Sequence, residues 1–124
     1  MHSKFVRLYS DAAGESHFED VEAKLNLVDF APLAPPLELS EYLPAVRTAF
    51  LGGPAGWTGD WHVSSGRNLF VVISGEWEIE TSDGTTCLFS PGSVLLVEDT
   101  SGKGHRSRVV SKGDSLAVLV QLAD

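Results

Sequence analysis

The residues best placed to do chemistry are two histidines, His62 in GWTGDWHVSSGRNLFVVISG and His105 in FSPGSVLLVEDTSGKGH. A neutral imidazole ligates zinc, iron, nickel, copper or manganese, and one oriented by a carboxylate is a general base. Either role needs both rings in one cavity. Alternation along a strand puts His62 and Ser64 on one side and Trp61 and Val63 on the other, so an inward His62 brings Ser64 with it. Glu98 and Asp99 lie just before His105, and Glu98 is expected to fix its tautomer. Trp57, Trp61 and Phe70 offer stacking surface, while Arg106, with Arg67 more weakly placed, offers a guanidinium fork for a carboxylate. The site expected from the residues is therefore His62, His105 and Glu98 for catalysis, with Trp61, Phe70, Ser64 and Arg106 on the substrate.

Other chemistries have little support. Ser64 and Ser65 lie near His62 but carry no nucleophile-elbow pattern and no acid to complete a triad. The GKGH segment has the glycines of a phosphate cradle, yet no helix signal follows it. Cys87, the single cysteine, lies in the strand-like TTCLFS and is expected to be a packing residue.

Bringing His62 against His105 is work for closely spaced strands. From Trp61 onward short apolar or alternating runs are separated by compact turns: NLFVVISG, EWEIETSDG, TTCLFS, SVLLVED, HRSRVVS and SLAVLVQL. In EWEIETSDG, Trp77 and Ile79 share one face and Glu76, Glu78 and Glu80 the other, the period of a half-buried strand. Asp83-Gly84 has hairpin-turn chemistry. Five of the six prolines precede Pro91, and APLAPP at 31 to 36 breaks any long helix there. FVRLYS and HFEDVEAKL are each expected as edge strands around a DAAG turn, with a further strand from Val46 to Leu51. A one- or two-turn helix is expected over 38 to 43, ended by Pro44. The pattern predicts an all-β barrel or sandwich in one domain over residues 1 to 124, with 1–45 as a wrapping, edge-strand segment and 46–122 as the barrel.

At 124 residues, 43% hydrophobic and 21% charged, the chain is long enough to bury a core without disulfides. No segment approaches the roughly 18 apolar residues of a membrane helix, and MHSKFVRLYS lacks the apolar core of a signal peptide. A cytoplasmic location is expected, with no membrane partner. A net charge of -8 at pH 7 repels phosphate backbones and argues against nucleic acid as a partner.

The spacing around both histidines resembles the cupin superfamily. Its first motif runs glycine, five residues, His-x-His, three or four residues, glutamate, six residues, glycine. Here Gly56, His62, Ser64, Asn68 and Gly75 fall at those positions, with Ser64 in place of the second histidine and Asn68 in place of the glutamate. The second motif, a Pro-Gly turn, a strand and a histidine, resembles FSPGSVLLVEDTSGKGH, with His105 in the histidine position and Val109 where an asparagine would follow. The likeness covers roughly residues 46 to 122 and is similar to small bacterial cupins sharing the WH and EDTxGxGH segments. It implies an antiparallel jelly-roll barrel and a homodimer, for which FVRLYS is the candidate pairing strand. It also implies a divalent transition metal (Zn, Fe, Mn or Ni) on His62, His105 and the weak carbonyl ligand Asn68, a set poorer than a complete cupin site.

Three function classes follow. The first is an enzyme of lyase, isomerase, cyclase or dioxygenase type, acting on a small polar or aromatic metabolite through His62 and His105. The second is a ligand-binding or sensing protein that has lost its metal site. The third is a partner-binding role, for which the acidic strand face of Glu76, Glu78 and Glu80 is the only hint.

Overall fold

The computed structural model describes residues 1–124 and contains strands and turns with no helix. In chain order the strands are β1 (His2–Ser10), β2 (Ser16–Lys24), β3 (Asn26–Val28), β4 (Leu37–Leu39), β5 (Ala45–Gly53), β6 (Asn68–Ser74), β7 (Trp77–Thr81), β8 (Thr86–Phe89), β9 (Val94–Val97), β10 (His105–Val109) and β11 (Ser115–Leu122). A six-stranded sheet runs β2-β1-β9-β6-β11-β5, a three-stranded sheet runs β10-β7-β8, and β3 and β4 pair apart from both. Every pairing is antiparallel except β1 with β9. No helix is present that is long and apolar enough to cross a membrane.

The core lies between the two larger sheets, where Leu8, Phe70, Val72, Trp77, Ile79, Phe89, Leu95, Val97, Val109 and Ala117 pack together. Strand parity selects them. On β7, Trp77, Ile79 and Thr81 turn inward while Glu78 and Glu80 turn out. The outward glutamates meet Arg108 and Arg106 across the β10 pairing, each at 2.8 Å. The acidic face anticipated from EWEIET is thus a ladder of cross-strand ion pairs, worth a few tenths of a kcal/mol to about 1 kcal/mol each.

Two sequence expectations change here. FVRLYS lies in an interior strand, because β1 pairs with β2 on one side and β9 on the other. The short helix over 38 to 43 is absent: Leu37–Leu39 forms β4, and residues 40 to 44 are irregular. Pro44 and the prolines at 35 and 36 leave too little chain between them to repay helix nucleation.

Candidate functional site

The segment from 57 to 62 runs beside β10 and extends the smaller sheet. Gly59 N–H donates to Ser107 O at 2.8 Å and Val109 N–H to Trp57 O at 2.8 Å, and His62 and His105 exchange backbone bonds of 3.0 Å in both directions. This direct opposition sets the two rings side by side, with centroids 4.7 Å apart and planes inclined by 55°. Gly104 makes the approach possible: it has φ of 73°, and a Cβ there would collide with the His62 carbonyl. The Gly104 carbonyl is in turn held by the buried Ser16 hydroxyl at 2.7 Å.

Both rings border a cavity of about 420 Å³ inside the barrel. Aromatic and aliphatic side chains make most of its wall, among them Trp57, Phe70, Trp77, Ile79 and Leu119; His62, His105, Asn68 and Ser107 supply the polar side chains, and no Lys, Arg, Asp or Glu takes part.

Each ring is held through Nδ1. His62 Nδ1–H donates to the Asp60 carbonyl at 2.9 Å. His105 Nδ1–H donates to Asp99 Oδ2 at 2.5 Å, and Asp99 is completely buried. A carbonyl and a carboxylate can only accept, so in the neutral rings Nε2 carries the lone pair. Neither Nε2 has a protein partner. The Asp99 backbone carbonyl also accepts from Ser64 N–H at 3.0 Å, tying the two histidine-bearing loops together.

The structure redistributes the remaining expected residues. Glu98 does not reach His105: Arg7 Nε and Arg67 Nε donate to its two oxygens at 2.5 and 2.6 Å. Burial alone would raise the Glu98 carboxyl, but the two guanidiniums outweigh it and hold the carboxyl below its ordinary range. Asp99 takes the orienting place instead. Parity explains the exchange, since Leu95 and Val97 face the core, which sends Asp99 inward and Glu98 out.

The same parity removes Arg106 and Trp61 from the cavity. Arg106 stacks its guanidinium 5.0 Å from the Trp61 ring on the outer face and pairs with Glu80, where it lines a second depression of about 370 Å³ that has no hydrophobic residue in its wall. Phe70 and Asn68 do line the inner cavity. Ser64 does not: its hydroxyl donates to Gly66 O at 2.6 Å. Asn68 Nδ2 donates to Gly66 O at 3.0 Å and to Ser64 Oγ at 3.3 Å, leaving Oδ1 free.

As metal donors these groups amount to two imidazole nitrogens and one amide oxygen. No group of three His, Cys, Asp or Glu side chains converges, and Asp99 is engaged by His105. A resident divalent metal is ordinarily held by three or four imidazole, thiolate or carboxylate ligands. Only two such ligands are present, the third donor being a neutral amide oxygen, and the set does not fit a resident metal.

Neither a protein family model nor a curated protein matches the sequence. Solved structures do match in fold. A cupin domain from Bordetella pertussis aligns with a TM-score of 0.51 and 17% identity over 82% of this chain and 94% of its own. The Cnp3 cupin domain of Schizosaccharomyces pombe aligns with a TM-score of 0.52 and 14% identity over 99% of this chain and 84% of its own. Protein NMB1881 from Neisseria meningitidis aligns with a TM-score of 0.50 and 14% identity over 81% and 83%. At such identities the likeness extends to the fold alone.

Proposed function

We propose that this chain, which has the cupin fold, binds a small metabolite in the barrel cavity and acts on it through His105 and His62. One observation carries the reading: two imidazoles, each with Nδ1 engaged and Nε2 free, stand together at the edge of an otherwise apolar cavity.

His105 is the general base. Its Nε2 accepts a proton from the ligand, and Asp99, already bonded to Nδ1–H, stabilises the imidazolium that forms. The apolar wall keeps water from competing for that proton. His62 Nε2 holds the ligand beside it as an acceptor, and the proton taken up by His105 Nε2 returns to the product. A positioned base of this kind contributes roughly 10²- to 10⁴-fold in rate. No metal takes part in these steps. Binding without turnover is the second reading, favoured by the lack of any carboxylic acid among the cavity side chains.

A thermal-shift screen of small metabolites in the presence of EDTA tests the site, run on the native chain, His62→Ala and His105→Ala. Compounds that stabilise the native chain are expected to lose most of their shift in both variants. Hits that stabilise all three proteins equally would place binding elsewhere and overturn the proposal.

A further inference from the structure

The polar corner of the cavity is one-sided in its hydrogen bonding. The donors of three side chains are already committed: His62 Nδ1–H to the Asp60 carbonyl, His105 Nδ1–H to Asp99, and Asn68 Nδ2 to the Gly66 carbonyl. A backbone carbonyl cannot donate, so the Asp60 and Gly66 contacts fix the His62 tautomer and the Asn68 orientation without ambiguity. What the neutral rings and the amide leave over is three acceptors, two Nε2 lone pairs and one Oδ1. Ser107 can accept or donate. The Trp77 indole N–H lines no open surface, being sealed and unpartnered. No cationic side chain borders the cavity, and the chain as a whole carries -8.

From this asymmetry we infer that the ligand is an uncharged compound with an apolar, ring-sized body that presents hydroxyl or other N–H and O–H donors at one end. This deepens the function proposed above and rests on it. A carboxylate or phosphate ligand would meet three acceptors and no cation, losing its hydration for at most the one Ser107 hydroxyl donor. An ammonium would find acceptors but no carboxylate in the wall, Asp99 being held behind His105. A neutral hydroxyl suits the wall on both counts: it gives its hydrogen to Nε2, and its ring replaces water against Phe70, Trp77 and Leu119. Two neighbouring hydroxyls engage both imidazoles at once. The arginines that would have suited a carboxylate, Arg67 and Arg106, are spent on Glu98 and Glu80 instead.

The test is a matched set of ring probes measured by calorimetry at pH 8, above the ordinary imidazole range, with EDTA to exclude metal-bridged binding. The probes are catechol, phenol, veratrole, benzoate and benzylamine. Catechol is expected to bind at least about tenfold more tightly than its dimethyl ether veratrole, with phenol between them and benzoate and benzylammonium weakest, since an unmade buried hydrogen bond costs about that factor. In His62→Leu, whose exposed ring can be removed with little risk to folding, the catechol preference over veratrole should collapse toward one. Veratrole binding as tightly as catechol, with both weakened by Leu51→Trp at the exposed rim of the cavity, would overturn the donor inference while leaving the cavity site standing. Benzoate or benzylammonium binding more tightly than phenol would overturn it too. Failure of every ring probe to bind, together with hits that ignore the histidine variants, would overturn both.

Discussion

β5 and β7 both carry large apolar side chains, yet β7 buries Trp77, Ile79 and Thr81 while β5 leaves every residue except Gly53 exposed. The difference lies in what covers them. β7 is flanked by β8 and β10 and faced by the large sheet; β5 hydrogen-bonds to β11 alone and keeps a free edge. The exposure continues back through residues 25 to 44: Leu27, Phe30, Leu37, Tyr42 and Leu43 are all more than half exposed. Leu33, at the turn between β3 and β4, is fully exposed and sits at φ of 80°, a conformation costly for a branched side chain. Hydrophobicity alone therefore does not make a core: an apolar strand is buried only where another element covers it.

The largest expected effect separates the two regions. Leu95→Ala, at a completely buried position, should cost about 2–5 kcal/mol in urea denaturation, whereas Phe50→Ala on β5 should cost within about 0.5 kcal/mol in dilute protein. The contrast breaks if a second copy covers β5. Phe50→Ala would then cost as much as the core variant at high concentration, and sedimentation would show the native chain dimeric and the variant monomeric. The homodimer expected from the sequence thus moves its candidate strand from FVRLYS to β5, since β1 has no free edge.

A smaller effect sharpens a comparison within the site, between adjacent carboxylates. Asp99→Asn should release the His105 tautomer, read as a changed pattern of imidazole ¹⁵N shifts, and lower any turnover by about 10²-fold or more. Glu98→Gln should leave the His105 signals in place and instead lower stability. The pH dependence has a defined sign: the Glu98 carboxyl is depressed in the folded state, so its contribution is present above the ordinary glutamate range and fades as pH falls through the folded value. Glu98→Gln should flatten that acid limb. An unchanged ¹⁵N pattern in Asp99→Asn would mean that Asp99 does not orient the ring.

How far the sequence carried these features depends on whether they were local. Strands from Asn68 to Leu122 were legible because each is an apolar or alternating run bounded by turn residues; Gly75 and Gly84 both have positive φ. The pairing of His62 with His105 followed from spacing and alternation together. Parity could also have separated Asp99 from Glu98 and His105 from Arg106, because Leu95, Val97 and Val109 mark the inward side of their strands. Taking the nearest acid or base without counting faces is what misplaced Glu98 and Arg106, and Trp61 was assigned to the ligand for its ring although alternation already set it opposite His62. Pairing between β1 and β9 was not legible at all, since Val6 to Leu8 meet Leu95 to Val97 about 90 residues away with no connecting turn to signal it. Nor could composition tell a covered apolar strand from an uncovered one.

The smallest expected effect tests why β1 and β2 belong to the barrel while β3 and β4 pair apart from it. His17 on β2 is clamped by two carboxylates: Nε2 lies 2.7 Å from Asp11 in the β1–β2 turn, and Nδ1 lies 2.9 Å from Asp83 in the β7–β8 turn. Both ring nitrogens face acceptors, so the clamp is complete only in the imidazolium. Beside it Lys103 pairs with Glu15 at 2.6 Å, and Ser16 bonds to Ser82 and to the Gly104 carbonyl, so the first hairpin is fastened to the loop that delivers His105. The bond from Asp11, reinforced by that from Asp83, raises the His17 imidazole above its ordinary range against the opposing pull of burial. Asp83 is drawn down to about 2, chiefly by the Thr81 hydroxyl. A raised folded value means stability that is fully present below the ordinary imidazole range and lost as pH rises through the folded value. The native chain should therefore lose a little stability between neutral and mildly alkaline pH, and His17→Gln, which cannot carry the charge, should not. Subtracting the two urea-denaturation series removes the contributions that both proteins share. Parallel pH profiles for the two proteins would show that the clamp contributes nothing and that backbone pairing alone attaches the first hairpin to the barrel.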